Sequence, residues 1–233
     1  MSKIDPRARE AVDTLSELIS LVDKKSNGAE TVERLLDEIG SVRSVFECVS
    51  EDLITHHSMS KTAARAMDLL DDLSRYMMRE ECGVRPYIKC YEDAAKYFRA
   101  VMFRRHIEYC YLMMLDKNGR LIDCKLMQRG TVDRSAVYAR QIAQTAFRQQ
   151  AVYCVLSHNH PGGYMEPSQA DVAVTYSVKD ALNAIGIVLT DHIIVSGHES
   201  ISIRGMGMPN EKAWRNQKKG DKLMEGWLKP KEQ

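Results

Sequence analysis

The chain is expected to fold as an α/β domain, a mixed sheet flanked by helices, preceded by an all-helical N-terminal domain. Three observations lead there. Apolar residues between positions 6 and 81 recur at helical spacing. From about position 104 onward, short apolar runs interleave with amphipathic helical stretches, the pattern of helices layered on a sheet. Asn118-Gly119 stands between two of those runs, the mark of a tight hairpin and so of an antiparallel pair within the sheet.

In order, Ala11, Leu15, Leu18, Ile19 and Val22 form a first helical stripe, and Val32, Leu35, Leu36 and Ile39 a second that stops at Gly40. A short helix is expected over 42–48 and another over 51–54, capped by Ser50. A longer one follows over 61–78, with Ala64, Met67, Leu70 and Leu73 turned inward. Residues 82–90 read as a linker that becomes extended, because a residue before proline avoids the helical region. A helix over 91–101 leads to an apolar strand over 107–115, then the Asn-Gly turn, then a partner strand over 121–127 closed by Arg129-Gly130-Thr131. Residues 135–149 read as an amphipathic helix with Val137, Ile142 and Phe147 among its apolar positions. An apolar strand over 151–156 is followed by a Gly/Pro loop and a helix opened by Ser168, with Val172, Val174, Val178, Leu182 and Ile185 apolar and Gly186 ending it. Two short strands, 187–189 and 192–195, split by Thr190-Asp191, and an edge strand over 201–203 complete the sheet.

Bulk properties are those of an ordinary globular protein: 44% hydrophobic and 28% charged residues, with a net charge of +1. That balance creates no global field toward nucleic acid or membrane. The start of the chain is charged and lacks the apolar core of a signal peptide, and no apolar run approaches the roughly 20 residues of a membrane helix. Six cysteines, at 48, 82, 90, 110, 124 and 154, are scattered without a Cys-x-x-Cys pair and read as reduced thiols. A cytoplasmic location is expected.

Chemistry concentrates in Ser157-His158-Asn159-His160-Pro161-Gly162-Gly163-Tyr164-Met165-Glu166-Pro167-Ser168-Gln169-Ala170-Asp171. Residues two apart in an extended segment point the same way, so His158 and His160 leave the strand side by side. Ser168 caps the next helix and puts Asp171 in its first turn. Two imidazoles and a carboxylate can thus meet across one loop, leaving an open position on a tetrahedral metal, as in a catalytic zinc site. Spacing rules out two other zinc chemistries. A deaminase needs Pro-Cys-x-x-Cys and a zincin needs His-Glu-x-x-His, and both are absent. His192 is read as structural, and Glu166 as facing solvent.

The stretch fits HxHPxGxxxPSxxD at every fixed position. In this it resembles the JAMM (MPN-plus) metalloprotease domain as found in the RadC family, over about residues 28–204 and most strongly over 104–203. The resemblance implies a JAMM/MPN fold, a Zn²⁺ ion held by His158, His160 and Asp171, and a peptide or protein substrate. It further implies that Glu108, at the head of the first core strand, acts as general base on the zinc-bound water, and that Ser168 donates to the tetrahedral oxyanion. As a cap the serine oxygen accepts, which leaves its O–H free for that second task.

The N-terminal segment resembles the helix-hairpin-helix domain of RadC proteins, a fold often used on DNA backbone. The matching turn, Ser58-Met59-Ser60, lacks both glycines, which argues against a tight left-handed hairpin. Residues 1–80 hold 11 Lys and Arg against 16 Asp and Glu, and phosphate binding depends on clustered positive charge. A structural or protein-contacting bundle is therefore expected, with binding to DNA doubtful. The expected division is 1–82 helical bundle, 83–203 JAMM/MPN catalytic domain, and 204–233 a basic extension bearing Trp214 and Trp227. The expected activity is zinc-dependent metallopeptidase or isopeptidase; the alternative is a binding or scaffold protein of DNA repair.

Overall fold

A computed structural model describes residues 6–130, 136–206 and Trp227. Thr131, the first residue of the helix expected from Ser135, and most of the basic extension with Trp214 lie outside the described residues. The chain divides into two compact units, Met1–Ser74 and Arg75–Gln233.

The first unit is built of α1 (Pro6–Val22), α2 (Gly28–Ile39), α3 (Val42–Glu47), α4 (Ser50–Thr55) and the opening turns of α5 (Lys61–Glu80). Leu15, Ile19, Val32, Leu35, Val45, Leu53, Met59, Ala64 and Met67 are buried together as its core. Asn27 starts α2 by accepting the Ala29 and Glu30 N–H groups, and Gly40 ends it at φ +103° with its N–H on Leu36 O. Three expectations need correction. Ser50 is the first helical residue of α4 and not its cap, because the extended residue before the helix is Val49. Leu70 and Leu73 are exposed at 36% and 55%, since the buried cluster of this unit closes at Met67 while the apolar stripe of α5 runs on past it. And the turn between α4 and α5 forms without glycine: Ser58 adopts φ +49°, and Met59 is buried with its N–H on Leu53 O at 2.8 Å. Burial of Met59 offsets the left-handed strain of a serine there.

The second unit carries a five-stranded sheet in the order β2-β1-β3-β4-β5. α6 (Tyr91–Met102) precedes the hairpin of β1 (Tyr109–Leu115) and β2 (Leu121–Arg129). Next come α7 (Ala136–Arg148), β3 (Tyr153–Asn159), α8 (Gln169–Asn183), β4 (Val188–Ser196) and β5 (Glu199–Ser202). β1 pairs antiparallel with β2 and β3, β3 parallel with β4, and β4 antiparallel with the edge strand β5. The sheet is mixed and flanked by helices, as the sequence predicts.

β1 is buried at all seven positions because both sheet faces are covered. Cys110, Leu112 and Met114 pack on one face with Ile142 of α7 and Val174, Val178 and Leu182 of α8. Tyr109, Tyr111, Met113 and Leu115 pack on the other with Ala94, Phe98 and Val101 of α6 and with Trp227. Phe147 does not join the core: it is exposed, and α7 buries Tyr138, Ala139, Ile142 and Ala146 instead. β4 is one strand, not two. Asp191 stays inside it, buried, because its carboxylate accepts from Ser202 Oγ, the Arg204 N–H and the His192 N–H. No helix among the described residues is long and apolar enough to cross a membrane.

Gly28 sits where a Cβ would lie 1.9 Å from Ser16 O, an impossible approach against backbone. Gly28→Ala should therefore force α1 and α2 apart and cost about 1–3 kcal/mol in the helical unit. Amide hydrogen exchange would show it as faster exchange in both helices with the sheet unchanged; unaltered protection of α1 and α2 would refute it.

Candidate metal centre

Strand β3 runs down the middle of the sheet, paired on both sides, and delivers His158 and His160 at its C-terminal end. His158 lies on the face covered by α7 and α8, where alternation also places Cys154 and Leu156. His160 follows the strand. Its N–H bonds to Val195 O at 2.9 Å, and its own carbonyl accepts from Ser196 Oγ at 2.9 Å. The loop then turns at Gly163, φ +85°, a conformation that glycine adopts without penalty.

Ser168 caps α8 in a full capping box: the Asp171 N–H donates to Ser168 Oγ, and the Ser168 N–H donates to Asp171 Oδ2. The Ser168 hydroxyl is not free, as the cap argument alone would leave it. It donates to Asp171 Oδ2 at 2.7 Å, because that oxygen is the nearest anionic acceptor. Two donors thus hold Oδ2 and leave Oδ1 turned toward His158.

The structure brings the three expected ligand residues together. His158 Nε2 and His160 Nε2 are 2.9 Å apart. Asp171 Oδ1 is 3.3 Å from His158 Nε2, and Oδ2 is 3.7 Å from His160 Nε2. One donor atom from each residue falls within 4.8 Å of the others, the only such group of three among the described residues. His158 and Asp171 are buried, and His160 is half-buried.

This set fits a metal ion on its own chemistry. His160 Nδ1 lies 2.7 Å from Tyr164 O, and a carbonyl can only accept, so Nδ1 carries a proton and Nε2 is the bare nitrogen of the neutral tautomer. A bare imidazole nitrogen and a carboxylate converge on an atom of a second imidazole. Such a group is satisfied by a shared cation, with Nδ1 of each ring anchored behind it as metal-bound histidines commonly are.

Glu108 stands just before β1 and is half-buried. The β1–β3 register pairs Cys110 with His158 at its end, and Glu108 lies two residues before Cys110 in the chain. Burial pushes the Cys110 thiol up to about 12; the carboxylates of Asp171 and Glu108 both add to the rise, as expected if both approach this side of the sheet. The backbone around Glu108 is clamped. Asn159 accepts from the Tyr109 N–H at 2.8 Å and donates to Ile107 O at 3.0 Å and Arg105 O at 3.2 Å, while Gly130 N–H donates to Glu108 O at 2.8 Å. Glu166 is exposed, as expected. His192, read from sequence as structural, contacts His158 directly: its Nε2 is 2.8 Å from His158 Nδ1, and its Nδ1 is 2.6 Å from Thr175 Oγ1. Thr175 does not stand out in the sequence. The contacts with Asp171 and His158 depend on the helix turn between 171 and 175 and on the parallel pairing of β3 with β4.

Residues 88–208 match the family described as RadC-like JAB domain. The chain is 31% identical over 182 residues to a UPF0758 protein of Bordetella avium, covering 78% of this chain and 81% of that one. It is 25% identical over 204 residues to a UPF0758 protein of Aliivibrio salmonicida, covering 88% and 91%. A UPF0758 protein of Vibrio vulnificus is 28% identical over 181 residues, covering 78% and 81%.

Burial lowers the His158 pKa from 6.5 to about 4, with His160 adding to the drop and Asp171 opposing it. The folded chain then binds this proton less readily than the unfolded chain. The contribution of His158 to stability is full above pH 6.5 and is lost as pH falls through about 4. His192 shifts in the same direction, also through burial. Asp191, pushed up to about 6 by burial, has the opposite sign, its contribution fading as pH rises through that value. In metal-free protein, His158→Gln should therefore flatten the acid limb of the melting temperature against pH relative to wild type. Parallel curves would refute this.

Proposed function

This chain belongs to the RadC-like JAB domain family, and from that premise we propose that it is a zinc-dependent metallopeptidase or isopeptidase of the JAMM type. The observation that carries the reading is the convergence of His158 Nε2, His160 Nε2 and an Asp171 oxygen at the end of β3. These residues would hold Zn²⁺. When bound, the ion supplies a Lewis acid and brings the pKa of water at the site to about 7.

The chain's own residues do the rest. Glu108, two residues before the Cys110 that pairs with His158, accepts the proton of the attacking water and delivers it to the leaving amide nitrogen. Ser168 turns its hydroxyl from Asp171 Oδ2 to the oxyanion that forms as the carbonyl becomes tetrahedral. Asp171 keeps a donor throughout, because the Ser168 N–H remains on Oδ2. The substrate is a peptide or an isopeptide-linked protein.

Elemental analysis and four variants test this reading. Purified protein should hold zinc, and His158→Ala and Asp171→Ala should lose it. Glu108→Gln should keep the metal, slow hydrolysis on the order of 10²–10⁴-fold, and retain uncleaved cellular substrates identifiable by mass spectrometry. Ser168→Ala should slow hydrolysis by about 10²–10³-fold. Wild-type protein that neither retains nor regains zinc would sink the proposal, and Glu108→Gln losing the metal would make that residue a ligand and not the base.

A further inference from the structure

A row of buried polar contacts runs from the backbone of α8 to His158. Thr175 Oγ1 lies 2.5 Å from Asp171 O and 2.6 Å from His192 Nδ1, and His192 Nε2 lies 2.8 Å from His158 Nδ1. The three side-chain residues of this row are 0%, 2% and 1% exposed.

The direction of every bond follows from its first member. The Asp171 carbonyl has no proton to give, so the Thr175 hydroxyl donates to it. The hydroxyl has no second proton, so toward His192 it accepts, and His192 Nδ1 carries the hydrogen. In its neutral form, a ring protonated at Nδ1 is bare at Nε2. His192 Nε2 therefore accepts from His158 Nδ1–H, which leaves His158 bare at Nε2, the atom that faces His160 Nε2 and Asp171 Oδ1.

We propose that Thr175 and His192 are positioning residues that hold His158 in its Nδ1–H tautomer, with Nε2 presented for metal. The use of that tautomer by a metal rests on the reading of the site given above. One carbonyl sets the whole row, and it belongs to Asp171, another of the proposed ligands. Without the hydroxyl, His192 is free to carry its proton on Nε2. The bond to His158 then reverses and puts a proton on the nitrogen that has to be bare.

Two variants of the full chain test the assignment. Thr175→Val removes the hydroxyl at similar shape, and Thr175→Ser keeps it while losing the methyl. Long-range proton–nitrogen correlation spectra of the imidazole rings report the tautomers in metal-free protein, and competition with a chromophoric chelator reports zinc affinity. His158 and His192 should both be Nδ1–H in wild type and in Thr175→Ser. Thr175→Val should move His158 toward Nε2–H and weaken zinc binding about 10–100-fold, the usual effect of losing a partner behind a ligand. A purely packing role for Thr175 would lower stability without moving the tautomer. His158 found as Nε2–H in metal-free wild type overturns the proposal, as does Thr175→Val binding zinc as tightly as wild type, or Thr175→Ser failing to restore it. If Thr175→Val does not fold, the wild-type spectrum decides alone. Wild type that shows His158 as Nδ1–H yet takes up no zinc would sink the metal-centre reading and leave the positioning row standing.

Discussion

The second unit is organised around acceptor atoms held face to face where little water reaches. The two Nε2 atoms, 2.9 Å apart, and the Asp171 carboxylate beside them would repel or go unsatisfied if nothing were shared between them. Each residue is tied down from behind. His158 sits in a strand paired on both sides, His160 is fixed through its N–H, its carbonyl and its Nδ1, and Asp171 is held by a capping box. The burial of polar groups at this point is tolerated because the surrounding bonds leave them no other arrangement, and a cation would turn the repulsion into coordination.

The two-residue period of β3 divides its labour. Even-numbered His158 and Leu156 face α8 and the site, while Ser157 and Asn159 face the other way. Ser157 bonds to Ile193 O, and Asn159 binds the backbone on both sides of Glu108. The strand that presents the proposed ligands thus also sets the level at which the proposed base enters the sheet. A slip of one residue between β1 and β3 would separate base from ligands and turn the core side chains of β1 to the wrong face. The apolar packing on both faces therefore protects the register between the proposed base and ligands.

Much of this was legible in the sequence because it is local. His158, His160 and Asp171 lie within fourteen residues, on a strand end, a Gly/Pro loop and a capped helix, each with its own signal. The hairpin at Asn118-Gly119 and the element order follow from short-range patterns in the same way. What escaped depends on distant partners. Thr190-Asp191 looks like a break in β4 until Ser202 and Arg204 come round to satisfy the carboxylate. Periodicity marks Leu70, Leu73 and Phe147 as apolar but does not say where a core ends. His192 and Thr175 are ordinary residues in sequence, and their roles arise only when β4 is laid beside β3. The direction of a hydrogen bond is further out of reach still, since it depends on which atom in the row cannot donate.

X-ray absorption at the zinc edge of the loaded protein tests the central claim most directly. The account predicts a shell of nitrogen and oxygen neighbours with the multiple scattering of two imidazole rings, both lost together in a double replacement of His158 and His160. A sulfur neighbour from any of the six cysteines, or a spectrum unaltered by that replacement, would contradict it.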